Sequence, residues 1–161
     1  MKNHVLSVAN VFIQLAQKDG IVLKHIRLHK LLYFAQGHSF GLRQEPILDE
    51  QPEAGPHGPL FPFVFQQLIE EESDILDNEI LYYDYEAGNL VSPPPVSCPE
   101  DLEILNAVWG AYKSRTLESL HHMSCTKDGP WDRVVGTYRN AKIRDEDMIE
   151  FFNTPSTSLS H

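Results

Sequence analysis

Three places in the chain carry groups able to do chemistry. The first is His57, inside the stretch Glu53 to Pro62, EAGPHGPLFP, which holds three prolines and two glycines in ten residues. Histidine titrates near neutrality and loops often carry function, so His57 could act as a general base beside a nucleophile or an orienting carboxylate. The simpler reading is a turn residue whose ring packs or bonds locally. The second place is His121-His122 with Cys125 and Asp128. His121 and Cys125 are four apart, so on a helix they share a face and could reach one metal or form a Cys–His nucleophile pair. A structural zinc site wants four ligands, and no second pair has compatible spacing; a reactive cysteine also needs an electropositive pocket. The third is the glycine pair Gly55 and Gly58, a possible phosphate cradle. It lacks a following Gly-Lys-Ser/Thr, and Pro56 and Pro59 remove two of the N–H groups a cradle offers. No dinucleotide-type GxGxxG is present. No constellation reaches the standard of an active site, and no catalytic residue, metal or cofactor is assigned.

The elements that must position these groups are mostly helical. Val5, Val8, Ala9, Phe12, Ile13 and Ala16 fall at three- and four-residue steps, predicting a helix over about 4–18 that Gly20 stops. A second helix, over about 24–40, carries Leu28, Leu31, Leu32 and Ala35 on one face and is expected to end at Gly41. Gly37 inside it costs about 1 kcal/mol relative to alanine, which implies close approach of another backbone. Glu45 to Glu50 reads as a short extended piece. A third helix near 60–72 is apolar on more than one side, the mark of a central helix, with Pro59 or Leu60 in its first turn. The Tyr-rich segment 79–91, bounded by Gly88-Asn89, reads as a small hairpin or ordered loop. Ser97-x-x-Glu100 is a capping-box signature for a helix over about 98–113 with Leu102, Leu105, Val108, Trp109 and Tyr112 as its stripe. Thr116 caps a short helix, Trp131 to Tyr138 adds a helical turn or two, and Asp145 starts a last short helix. The fold expected is mainly α, a compact single domain of about six or seven helices with at most a small β-hairpin or short extended segments.

A chain of 161 residues suits one domain with a sizeable core. No run approaches the roughly 18 apolar residues of a membrane span. The first twenty residues are amphipathic and lack the unbroken apolar core and cleavage site of a secretory leader. Only Cys98 and Cys125 are present, without Cys-x-x-Cys spacing. These features lead us to expect a cytoplasmic protein. The formal net charge is −10, unevenly spread: between Arg43 and Lys113 there is no Lys or Arg but fifteen Asp or Glu. Glu70, Glu71, Glu72, Asp74, Asp77 and Glu79 are its densest part. Such a belt repels phosphate backbones, which disfavours nucleic acid as a partner, and would steer a basic protein inward. The alternative is a solvated acidic face that keeps the protein soluble. Exposed aromatics at Tyr82, Tyr83 and Tyr85 could anchor an interface beside Glu70–Asp74.

The segment HKLLYFAQGHSFGLRQEPILDEQPEAGPHGPLFPFVFQQL (29–68) resembles the SocA-like antitoxin family, or Panacea domain, noted in phage-associated GepA-type proteins. Leu28, just before it, with Lys30, Leu31, Leu32, Tyr33, Phe34, Ala35 and Gly37 match its first motif; Pro46, Glu53, Ala54, Gly58, Pro59 and Pro62 match its second. Residues 102–131, ending in Pro130-Trp131, and the closing helix up to Phe152 are similar to its remainder. The resemblance implies one Panacea-like helical domain over 1–152, followed by a disordered tail over 153–161. It also implies a non-enzymatic protein that binds a toxin as neutraliser, as chaperone, or as an adaptor presenting it to a AAA+ protease. Family members often carry Tyr at the place of His57, so their loop needs no histidine. They often show Thr-His where this chain has Cys125-Thr126, so no histidine role carries over to His121 or His122. Two rivals remain at this stage: a phage- or mobile-element accessory protein without a toxin, and a small hydrolase using His57 or His121/Cys125.

Overall fold

The computed structural model describes residues 2–154, 157 and 159. Seven helices and two small antiparallel hairpins account for its regular structure: α1 (Val5–Asp19), α2 (His25–Arg43), β1 (Glu53–Gly55), β2 (Gly58–Leu60), α3 (Pro62–Leu68), β3 (Tyr82–Asp84), β4 (Asn89–Val91), α4 (Pro99–Tyr112), α5 (Leu117–Ser124), α6 (Pro130–Val134) and α7 (Asp145–Phe152). The mainly α, single-domain expectation holds. Gly20 ends α1 in the left-handed conformation, and Thr116 Oγ1 accepts from Ser119 N–H to start α5. The expected disordered tail includes residues 155, 156, 158, 160 and 161, which lie outside the described residues.

The central helix is α2, not α3. Every residue from Leu28 to Phe40 is buried, with α1, α4, α5 and α7 around it. Its polar residues survive burial because the chain wraps back and satisfies them. The Gln36 side-chain oxygen accepts from Ile47 N–H and Leu48 N–H at 3.0 Å each. Ser39 Oγ donates to the Glu45 carbonyl, His38 bonds Tyr112 Oη at 2.5 Å, and His29 Nδ1 accepts from Phe61 N–H at 3.1 Å. By contrast, α3 buries only Val64 and Leu68, and Phe65 stands out in water. Its proline start is Pro62 rather than Pro59, which lies in β2. The Glu50 carboxylate accepts from Phe63 N–H at 2.8 Å, covering one of the free donors of that first turn.

Two expected helix-end signals act differently. Gly41 does not end α2, which continues to Arg43 and stops at Gln44 with φ 56°. Gly41 instead makes room for α7: a methyl there would overlap the Phe152 carbonyl, and one at Gly37 would overlap the Phe152 ring. The close approach expected at Gly37 is therefore to a side chain, and the backbone approach comes one turn later. The capping box at Ser97 does not form. Cys98 is the cap residue, Pro99 opens α4, and Glu100 and Asp101 instead face Arg43, at 3.5 and 2.7 Å. Asp101 is buried, so bonding Arg43 and Asn3 outweighs capping its own helix.

Candidate partner-binding surface

The opening stretch EAGPHGPLFP folds as a hairpin with Pro56-His57 at its tip and pairs Glu53 with Leu60, Ala54 with Pro59 and Gly55 with Gly58. Three ties fix it. Trp131 Nε1 donates to the Gly55 carbonyl at 2.8 Å. Ala54 N–H donates to the Ala141 carbonyl at 2.8 Å. The Lys30 ammonium, fully buried under the turn, donates to the His57 carbonyl at 3.3 Å and to Ser124 Oγ at 3.4 Å. Gly58 has φ +120°, and the place a Cβ would take lies 2.7 Å from Lys30 Nζ, so only glycine fits. The motif residues Lys30, Gly58, Pro59, Pro130 and Trp131 thus converge on one joint between α2, the hairpin, α5 and α6. Leu31 and Tyr33 are core residues of α2. Trp131→Phe keeps the ring and removes the bond to Gly55. It should cost about 1 kcal/mol by denaturant unfolding and raise hydrogen exchange in the hairpin more than in α1.

The groups that could do chemistry are held apart or unactivated. The His57 ring is exposed at the turn, and the part of this residue that bonds inward is its carbonyl. His121 Nδ1 and Cys125 Sγ do share a face of α5 and its end, but at 4.0 Å. That is the outer limit of a bond to sulfur, longer than the separation of an engaged nucleophile–base pair. Burial pushes the Cys125 thiol up, beyond what bonding to Ser124 and the field of Lys30 recover, so the thiolate is disfavoured. Among the described residues, no three His, Cys, Asp or Glu side chains converge as metal ligands.

The acidic belt and the second hairpin meet around one depression, lined by Glu71, Ile75, Glu79, Leu81 and Leu90. After α3 the chain runs without regular structure from 69 to 81 and is pinned at several points. Leu76 N–H donates to the Leu23 carbonyl at 2.8 Å, His25 N–H to the Asp74 carbonyl at 3.0 Å, and the Asn10 amide clamps both polar groups of the Ile80 backbone. Glu70, Glu71, Glu72 and Asp74 are all exposed. Among the described ion pairs, only Lys24 reaches this belt, 3.9 Å from Asp74 in open water. The second hairpin does form, in the register Tyr82–Val91, Tyr83–Leu90 and Asp84–Asn89. The Asp84 carboxylate accepts from Glu86 and Ala87 N–H, and Gly88 takes φ +76°, which closes the turn. Tyr82 leans inward and stacks on His4 at 4.8 Å. Tyr83 and Tyr85 point out, edge to face at 4.9 Å, with Tyr85 90% exposed.

Large apolar side chains are exposed around belt and hairpin: Phe65 and Ile69, which the apolar run of the third helix led us to expect in the core, and Ile75, Leu81 and Leu90. With Tyr83 and Tyr85 they make seven of the twelve large exposed apolar residues of the described chain, in an interval that contains eight acids and no Lys or Arg. Scattered surface hydrophobics need no explanation, whereas a concentration of them does. The charge run was visible in the sequence. The exposure was not, because a Phe or Ile in an apolar run looks the same whether it faces core or water. No helix among the described residues is long and apolar enough to cross a membrane.

Comparison with known proteins points the same way as the motifs. The family model for the antitoxin SocA-like, Panacea domain matches residues 28–132, the span from α2 into α6. Antitoxin SocA of Caulobacter vibrioides (strain NA1000 / CB15N) is 29% identical over 132 residues, covering 80% of this chain and 69% of that protein. No solved structure matches.

Proposed function

Since the chain belongs to the SocA-like antitoxin family, Panacea domain, we propose that it neutralises a toxin protein by direct, non-covalent contact. The observation that carries this reading beyond the family is the interval 65–90, free of Lys and Arg, where exposed apolar side chains are interspersed with exposed acids. Apolar area excluded from water supplies affinity, and the surrounding charge supplies approach rate and partner choice. Glu70, Glu71, Glu72 and Asp74 steer a basic toxin inward. Tyr83 and Tyr85, with Tyr82 as their buttress on His4, anchor it. No step makes or breaks a bond, so His57, His121, His122 and Cys125 take no part.

Co-expression tests this directly. A toxin that arrests growth alone should be harmless with the wild-type protein and remain toxic with the Tyr83→Ala/Tyr85→Ala variant. Replacing Glu70, Glu71 and Glu72 by lysine should slow association with the purified toxin about tenfold or more at low salt and flatten its salt dependence. An on-rate that does not change at low ionic strength removes the belt from recognition. Toxin half-life in cells separates the two outcomes of binding: occlusion leaves it long, whereas delivery to a AAA+ protease shortens it only when the antitoxin is present. A chain that protects against no toxin, with its proteome partners unrelated to growth arrest, would point to an accessory role in a phage or mobile element.

A further inference from the structure

A groove of about 400 Å3 is walled by Ile26 of α2, Leu60 of β2, Phe65 of α3 and Ile69 at the end of α3. Ile26, Phe65 and Ile69 are 42%, 42% and 61% exposed, so the groove is lined by large apolar groups that nothing in the fold covers. Its walls are preformed. His29 holds Phe61 N–H, Trp131 holds Gly55, Lys30 holds the His57 carbonyl, and Pro56, Pro59 and Pro62 stiffen the turn. Filling it therefore orders little of the protein. The lining residue Ile69 is followed directly in the chain by the exposed Glu70, the first acid of the belt. Lys30, which also lines the groove, is held by the His57 carbonyl and Ser124 Oγ, while Lys24 pairs with Asp74 and Arg27 donates to the Arg115 carbonyl at 2.8 Å.

Building on the antitoxin reading, we infer that this groove takes one amphipathic helical segment of the toxin. That segment places apolar residues at i, i+3 or i+4, and i+7 in the groove, with Lys or Arg one turn further on against Glu70–Glu72. A helix fits better than an added strand. β2 contains Pro59, which has no N–H to donate, and the N–H of the following Phe61 is already taken by His29. Charge selects among other occupants. A second copy of this chain would bring the same acidic belt, and an anionic membrane surface would be repelled.

The probe is the purified toxin that the protein neutralises in co-expression. A photoreactive phenylalanine analogue at position 65 or 69 should crosslink to a single basic amphipathic segment of that toxin, and the same group at the exposed position 138 should not. Ile69→Asp should weaken toxin affinity by about 30-fold or more, with Tyr138→Asp within about twofold of wild type. Both positions are exposed, and equal melting temperatures of the two variants exclude a folding loss. Crosslinks to an acidic or extended toxin segment, crosslinks to a second copy, or full affinity of Ile69→Asp would each overturn the inference while leaving the antitoxin reading standing. If the wild-type protein neutralises no toxin, both fall together.

Discussion

Gly41→Ala should destabilise the protein by about 3 kcal/mol, the upper part of the range for overpacking a tight site, and lower its Tm by roughly 6–12 °C. Alanine in a helix interior is otherwise the better residue by about 1 kcal/mol, so the sign of the effect is itself a test of the packing. At Gly41 the added methyl meets the carbonyl and carbonyl carbon of Phe152, so the end of α7 must move. At Gly37 the obstacle is the Phe152 ring, wedged between Tyr33 at 5.6 Å, His38 at 5.0 Å and Phe151 at 5.1 Å. The two sites should therefore answer differently to a second change. Phe152→Leu should recover much of the stability lost in Gly37→Ala and none of that lost in Gly41→Ala, because a shorter side chain does not move a backbone. A Gly41→Ala protein melting within 2 °C of wild type would mean that α7 is not seated on α2 as described.

Acid should unfold the protein over a window set by two buried histidines. Burial pushes His29 down from 6.5 to about 4, helped by the fields of His25 and Lys30, and burial alone pushes His38 to about 4. Above pH 6.5 neither the folded nor the unfolded state protonates these rings, and their contribution to stability does not vary with pH. Between pH 6.5 and about 4 the unfolded chain binds protons that the folded chain refuses, so stability falls as pH falls, at about 1.4 kcal/mol per pH unit for each ring. Near pH 4 the folded rings also charge and the loss levels off at about 3 kcal/mol each, a large part of the 5–15 kcal/mol of a typical domain. Glu50, whose carboxyl is raised by burial, offsets part of this. Urea midpoints measured from pH 7.5 to 4 should show the slope. His38→Gln, able to bond Tyr112 from the position of Nε2, and His29→Asn, able to accept Phe61 N–H from the position of Nδ1, should each remove about half of it. A flat profile in the wild type would mean that these rings are solvated.

Amino-acid order alone specified much here, through local causes. The 3.6-residue recurrence of apolar side chains placed α1, α2 and α4 within one or two residues, apart from the C-terminal end of α2, and Thr116 and Gly20 marked a start and a stop. The charge gap from 44 to 112 was visible as a count. The joint pattern of Lys30 to Gly37 with Gly58, Pro59 and Pro130-Trp131 marked the family that the matching span then established. What spacing could not supply was the identity of the central element. Lys30, Gln36, His38 and Ser39 make α2 look like a surface helix, yet all four are buried. Their partners are a loop at Glu45–Leu48, a tyrosine seventy-four residues away and the underside of a hairpin, all of which exist only once the chain has closed on itself. The reverse holds for Phe65 and Ile69, whose apolar character suggests a core while the shortness of α3 leaves them in water. Burial is a property of long-range packing, and a polar group can go inside wherever a distant partner replaces its water. The joint under the hairpin and the apolar groove beside the acidic belt belong to that second kind of information.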